Sequence, residues 1–125
     1  MIVGIGLDQV TTSRFAAILR DSSGRVFERV CTEAERAYCE QQAEPHKALA
    51  ARWCAKEAVA KCLRTGFAEG VTPRSIELVR EDSGTLAVAL HGAAATRAAE
   101  LGIARVHVSI SHNEDTVIAV AIAES

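Results

Sequence analysis

Aromatic residues are scarce in this chain of 125 residues, which has one tryptophan, one tyrosine and three phenylalanines. A core poor in aromatics must be built from aliphatic side chains and alanine, which allow helices and sheets to approach closely. The chain also lacks any apolar run of the roughly 20 residues that a membrane-spanning helix requires. It has no lysine or arginine block, and 14 basic against 16 acidic residues give a net charge of −2, which disfavours a nonspecific nucleic-acid binder.

Cysteine is present, but never in a CxxC or CxxH spacing. The cysteines, Cys31, Cys39, Cys54 and Cys62, therefore indicate neither a zinc site nor a redox pair, and as small hydrophobic side chains they suit a reducing cytosol. The first eight residues lack the basic start and cleavage site of a signal peptide. We expect a cytoplasmic protein without a membrane partner, and the length predicts a single domain over residues 1–125.

Hydrophobic periodicity predicts, in order, one strand, three helices, two strands, a helix and two strands. The predicted helices cover about 12–20, 32–38, 46–64 and 92–101, and the predicted strands cover 2–8, 75–80, 85–90, 105–111 and 116–123. Thr32 and Glu35 have the spacing of a capping box, and turn residues at 81–84 and 112–115 mark two hairpins. This order is typical of an α+β fold: a single small domain whose mainly antiparallel sheet packs against a long helix.

The first strand has two unlike faces. Val3, Ile5 and Leu7 share one face, whereas two glycines and Asp8 share the other. Because glycine has no side chain, we expect another part of the molecule to approach the backbone on that second face. Asp8 lies at the predicted strand end, where an acid commonly ends a strand or caps the next helix.

The long helix has one arc of small residues that can lie close to the sheet: Ala51, Ala55, Ala58, Val59 and Cys62. The opposite arc carries Trp53, Lys56, Glu57, Ala60, Lys61 and Arg64. On pattern alone this second arc is a solvated face, with one ion pair between Glu57 and Lys61 at i, i+4. Trp53 is unusual on such a face and indicates a covered groove or a contact between subunits.

The strand at 105–111 combines an apolar and a polar face. Val106, Val108 and Ile110 form the buried face, and a stripe of His107, Ser109 and Ser111 continues to His112 at the strand end. Nothing ties either serine to a base and an orienting acid, so no catalytic triad is indicated. The chain also has no GxxxxGK[ST] loop, which argues against P-loop phosphate chemistry.

Asp8 and Glu57 together are candidates for a magnesium site. Magnesium prefers a few carboxylate oxygens together with water and a substrate phosphate. One carboxylate on a strand, another on a helix and the nearby Lys61 are enough to hold such an ion and a phosphate ester.

Four segments resemble the signatures of the holo-[acyl-carrier-protein] synthases. They are residues 4–8 with Arg14 and Phe15, residues 30–35, residues 52–58 with Lys61, and residues 108–112. The resemblance runs from residue 2 to about residue 124, in the family's order and length. Cys31 stands where the family usually has an aromatic residue, Trp53 where it often has phenylalanine, and Asn113 where some relatives carry aspartate. None of these departures removes an expected metal ligand.

The resemblance implies a 4′-phosphopantetheinyl transferase of fatty acid biosynthesis and lipid metabolism. In that reaction a serine hydroxyl of an apo acyl carrier protein attacks the β-phosphate of coenzyme A, and adenosine 3′,5′-bisphosphate leaves. The implied site residues are Asp8 and Glu57 for Mg²⁺; Glu57, Lys61 and His112 for catalysis; Arg52, Lys61, Ser111 and His112 for coenzyme A; and Arg14 for docking of the carrier.

The residues leave open the identity of the general base and the class of function. Histidine suits proton transfer near neutral pH, so His112 is one candidate base, and Glu57 or Asp8 acting through a water molecule is an equal one. The family forms trimers with sites between subunits, so we expect a homotrimer in which His112 and the two acids of one site need not share a chain. A catalytically inactive module that binds coenzyme A or a carrier is the rival function, and a purely structural oligomer is the third.

Overall fold

The computed structural model of the protein describes residues 1–125 and contains five strands, five α-helices and one short 3₁₀ turn. They follow the chain as β1 (Ile2–Thr11), α1 (Thr12–Asp21), α2 (Val26–Val30), α3 (Glu33–Glu40), α4 (Pro45–Cys62), the 3₁₀ turn (Pro73–Ser75), β2 (Ile76–Arg80), β3 (Leu86–Leu90), α5 (Gly92–Glu100), β4 (Arg105–His112) and β5 (Thr116–Glu124). No helix has the length and apolar character needed to cross a bilayer.

The strands form two antiparallel sheets. A three-stranded sheet has the order β1-β5-β4, and β2 and β3 form a separate hairpin. Helix α4 packs across β1 and β5 and also contacts α1, α3 and β2, which makes it the centre of the core. The predicted α+β architecture, with an antiparallel sheet against a long helix, is confirmed.

Glycines in β1 determine how closely α4 lies against the sheet. A Cβ atom added to Gly6 would lie 1.8 Å from the carbonyl oxygen of Ala58, and one added to Gly4 would lie 3.2 Å from that of Cys62. The face that was expected to accept another element is therefore occupied by α4, through its predicted arc of small residues. The other face of β1 is open: Ile5 and Leu7 are 64% and 58% exposed.

Two predicted elements were wrong in extent or number. Four helices, not three, lie between β1 and β2, because the five-residue α2 is too short to show a helical period; it is held by burial of Val26, Phe27 and Val30. Strand β1 continues to Thr11, since its pairing with β5 extends to Thr116. Asp8 consequently lies inside the strand, opposite Ala119, and not at its end.

The arc of α4 that was expected to be a solvated face is exposed at Lys61 and Arg64, but it is buried at Lys56 and Ala60. Lys56 is 0% exposed, and its ammonium group donates hydrogen bonds to Glu35 Oε1 at 2.6 Å and to the carbonyl oxygens of Val30 and Pro73, each at 2.8 Å. Glu35 in turn accepts from the backbone N–H groups of Thr32, in the predicted capping box, and Leu78. This buried ion pair joins α2, α3, the 3₁₀ turn and β2 to α4.

Trp53 is covered from within the chain. Its ring centroid lies 6.4 Å from that of Phe15 on α1 and 5.3 Å from that of Phe67. Of the two explanations for a tryptophan on this helix face, the covered groove agrees with these contacts, and Trp53 gives no indication of a subunit interface.

Candidate active site

The close packing of α4 on β1 brings Asp8, Glu57 and Lys61 together. The Lys61 ammonium donates a hydrogen bond to the carbonyl oxygen of Leu7 at 2.6 Å and lies 3.4 Å from Asp8 Oδ1. The ion pair expected between Glu57 and Lys61 is not the one that forms. Because the helix lies so near the strand, Lys61 reaches across to β1 instead of back along its own helix.

Glu57 has a pKa raised above the usual value of glutamate. Burial is the largest cause, and the negative charge of Asp8 is the second; the positive charges of Lys61 and Arg14 oppose them. The two carboxylates are therefore close enough to repel one another, and a bound cation would remove that repulsion.

The donor set fits Mg²⁺. Carboxylate oxygens are the hard ligands that this ion prefers, and it commonly takes only one or two of them from the protein. No group of three or more metal-binding side chains lies here, so the remaining coordination positions would fall to water and substrate phosphate oxygens. Asp8 and Glu57 are the residues that would hold the ion.

A second part of the site is a cavity of about 580 Å³ between α3, α4, the β2–β3 hairpin and the end of β4. Its polar lining includes Thr12, Tyr38, Gln42, Lys47, Arg52, Arg80, His112 and Asn113. Arg52 is only 4% exposed, and its Nε atom has no hydrogen-bond partner. A buried donor without a partner is costly, which marks Arg52 as a residue prepared for a ligand.

The structure separates the predicted coenzyme A residues into groups. Arg52 and His112 line the cavity, whereas Lys61 lies beside the two acids and does not line it.

Ser111, also outside the cavity lining, pairs with Ile118 on the sheet face opposite to the one that α4 covers. His112 pairs with the buried Val117, which places it on the α4 side.

Asp8 and His112 lie on opposite sides of β5. Asp8 pairs with Ala119 from one side and His112 pairs with Val117 from the other, so their backbones lie at least two strand spacings apart, about 10 Å or more. A ligand that reaches both groups must therefore be extended.

Arg14 lies on α1 beside a second cavity of about 420 Å³, lined largely by apolar side chains that include Phe15, Ile18, Trp53 and Phe67. Its guanidinium lies 5.6 Å from the ring centroid of Phe15. The same positive charge opposes the rise in the pKa of Glu57, so Arg14 lies near the acids as well as beside the apolar cavity.

Sequence reasoning missed Tyr38 and Arg80. Both line the larger cavity, and the guanidinium of Arg80 lies over the ring of Tyr38. Neither belongs to a motif, and they lie on different elements far apart in the chain, so no local pattern could have paired them.

Comparison with known proteins gives the same assignment by three routes. The family model described as the 4′-phosphopantetheinyl transferase superfamily matches residues 4–121. The holo-[acyl-carrier-protein] synthase of Solidesulfovibrio magneticus is 43% identical over 99% of both chains, and that of Geobacter sulfurreducens is 36% identical over 99% of this chain and 98% of its own.

Solved structures agree with these relatives. The crystal structure of the holo-[acyl-carrier-protein] synthase from Neisseria meningitidis has a TM-score of 0.92 and 34% identity, covering 100% of both chains. The structure from Bacillus anthracis in complex with CoA (3′,5′-ADP) has a TM-score of 0.83 and 30% identity, covering 100% of this chain and 98% of that one. The chain therefore belongs to the holo-[acyl-carrier-protein] synthases, within the 4′-phosphopantetheinyl transferase superfamily.

Proposed function

We propose that Asp8 and Glu57 hold the Mg²⁺ of a transfer reaction that moves the 4′-phosphopantetheine of coenzyme A to a serine of an apo acyl carrier protein. The transfer itself is the activity of a holo-[acyl-carrier-protein] synthase, with coenzyme A and the apo carrier as substrates. The metal assignment depends on one observation, the pair of neighbouring carboxylates. The negative charge of Asp8 helps to raise the pKa of Glu57, which indicates that the two groups lie close enough to share a cation.

The residues around the acids are arranged for an anionic substrate. Bound Mg²⁺ would supply positive charge that neutralises the pyrophosphate in the transition state. The half-exposed Lys61 is fixed by Leu7 and Asp8 and keeps donor capacity for phosphate oxygens. His112, in the cavity with Arg52, would bind a phosphate or take part in proton transfer.

We also infer a homotrimer with sites between subunits. The open face of the three-stranded sheet exposes Ile5, Leu7 and Ile118, and a contiguous apolar patch of this kind marks an interaction surface. A neighbouring subunit on this face could supply the residues that complete the site. The four free thiols, all buried, agree with a cytoplasmic location.

The oligomer has a matched test, because Ile118 and Val79 are each 41% exposed but lie on different sheets. Light scattering should give about three times the 13.3 kDa of one chain for the unmodified protein and for Val79→Glu. Ile118→Glu should reduce the mass to that of one chain. An active monomer in the unmodified protein would contradict the trimer.

The function is tested by incubating the protein with coenzyme A, Mg²⁺ and an apo carrier. Mass spectrometry should show one phosphopantetheine added to the carrier, and adenosine 3′,5′-bisphosphate should accumulate. Binding of coenzyme A without any transfer, across several carriers, would instead support the inactive binding module.

A further inference from the structure

Helix α1 begins at a contact between two distant parts of the chain. Its N-cap residue, Thr11, makes no side-chain hydrogen bond, and its first turn contains no acidic residue. Asp115, which lies between β4 and β5, caps the helix instead. Its carbonyl oxygen accepts from the N–H of Thr12 at 2.8 Å, and its Oδ1 atom accepts from the N–H of Ser13 at 3.3 Å.

A buried hydroxyl group adds to the same contact. Thr12 is 3% exposed, and its hydroxyl oxygen lies 3.3 Å from both Asp115 Oδ1 and the carbonyl oxygen of Glu114, so it can donate to either. A carboxylate at the start of a helix satisfies N–H groups that have no partner within the helix, and the helix dipole favours its charge. The segment between β4 and β5 therefore fixes where α1 starts.

That segment, residues 113–115, is here called the β4–β5 turn, and Asn113 holds it together. The Oδ1 atom of Asn113 accepts from the N–H groups of Asp115 at 3.2 Å and of Thr116 at 2.9 Å. Asn113 and the preceding His112 line the larger cavity, whereas Asp115 lines neither that cavity nor the apolar one. The side chain that caps α1 thus belongs to the same short turn as a residue of the larger cavity.

The cap also lies next to the residue assigned to carrier docking. Arg14 follows Ser13 in the first turn of α1 and lines the apolar cavity. We propose that Asp115 is a positioning residue for both substrates. It holds the start of α1, which presents Arg14 to the carrier, against the turn that presents His112 to coenzyme A. This inference rests on the proposed function.

Steady-state transfer assays of Asp115→Ala test the proposal. Without the carboxylate, the N–H of Ser13 loses its partner, and the first turn of α1 can move relative to the β4–β5 turn. The apparent KM values for the carrier and for coenzyme A should each rise at least about threefold, while kcat changes less than about twofold. Asp115→Asn, whose amide oxygen can cap the helix in the same way, should restore both KM values.

Glu114→Ala is the matched control. Glu114 is adjacent and exposed, its side chain forms no salt bridge, and its removal changes the net charge by the same amount. This variant should change neither KM. Equal rises in both variants would assign the effect to charge and would overturn the proposal. A rise in only one KM of Asp115→Ala would also overturn it, and so would a lower melting temperature with both KM values unchanged.

The unmodified protein is assayed for transfer in the same series. Transfer by the unmodified protein with unchanged KM values in Asp115→Ala would refute the positioning role and leave the proposed function standing. Absence of any transfer would refute the proposed function, and calorimetry with coenzyme A alone would then decide on the turn. Asp115→Ala should weaken that binding at least about threefold, and Glu114→Ala should not. Equal affinities in that titration would refute the positioning role as well.

Discussion

Lys56 and Glu57 are adjacent on α4 but lie in opposite kinds of environment. Lys56 is fully buried, and each of its three ammonium hydrogens can meet an oxygen atom within 2.8 Å. Glu57 is only half-buried, forms no salt bridge and lies beside the like charge of Asp8. Because successive helix residues point about 100° apart, one turn of α4 faces both regions.

The difference shows how the helix separates stability from chemistry. In the region of Lys56 and Glu35, here called the buried anchor, every strong donor and acceptor is satisfied, and five elements are tied together. In the region of Asp8 and Glu57, here called the acid site, the two carboxylates repel one another, and a bound cation would relieve that repulsion. Local rules that hold elsewhere in a protein are commonly broken at functional sites.

Breaking the buried anchor should have the largest effect. Lys56→Ala leaves the charge of Glu35 buried without a partner, so we expect the free energy of unfolding to fall by about 3–5 kcal/mol. Urea unfolding measures this, with the partly exposed Lys47→Ala as a control that should cost less than about 1 kcal/mol. A similar small cost for Lys56→Ala would show that the pair is not an anchor.

Removing either acid should abolish transfer and spare the fold. We expect Asp8→Asn and Glu57→Gln each to lower transfer at least about 100-fold, which corresponds to about 2.7 kcal/mol of barrier. Without metal, Glu57→Gln should be at least as stable as the unmodified protein at neutral pH, because burial and Asp8 disfavour the ionised carboxylate. Near-normal turnover of either variant at limiting Mg²⁺ would refute the metal assignment.

A smaller effect is expected at Glu77, which borders the buried anchor. Hydrogen bonds from Thr32 and His91 lower the pKa of Glu77, so its contribution to stability is present above the ordinary glutamate pKa and is lost as the pH falls below it. Glu77→Gln should therefore be less stable than the unmodified protein at pH 7, with a difference that shrinks between about pH 5 and about pH 3. A difference in unfolding free energy that stays constant with pH would contradict this.

The smallest effect is expected at the edge of the acid site. Arg14→Glu places a negative charge where an acidic carrier would dock, so the apparent KM for the carrier should rise about three- to fivefold and lose salt dependence. Coenzyme A affinity, measured by calorimetry without carrier, should change little. If that affinity collapses while the carrier KM holds, Arg14 belongs to the coenzyme A site.

Local patterns predicted much of the fold. The long helix, both hairpins and the capping box of Thr32 and Glu35 depend on neighbours in sequence, and the structure contains each of them. The expected approach to the glycine face of β1 was also confirmed, although the pattern did not identify α4 as the element that approaches.

What sequence reasoning missed depends on contacts between distant segments. A lysine beside a glutamate on a helix normally indicates a solvated face, and only the cover provided by α2, the 3₁₀ turn and β2 makes Lys56 a buried residue. The stacking of Arg80 on Tyr38 requires β2 and α3 to meet. The partner of Lys61 changed for the same reason, since the approach of α4 to β1 decides which acid it reaches.

We expect the acid site to hold a divalent cation and the buried anchor not to depend on one. Calorimetric titration of Mg²⁺ in the presence of coenzyme A tests it directly, using the unmodified protein, Glu57→Gln and the exposed control Glu69→Gln. Mg²⁺ should bind saturably to the unmodified protein and to Glu69→Gln, and Glu57→Gln should lose that binding. Unchanged Mg²⁺ binding by Glu57→Gln would contradict it.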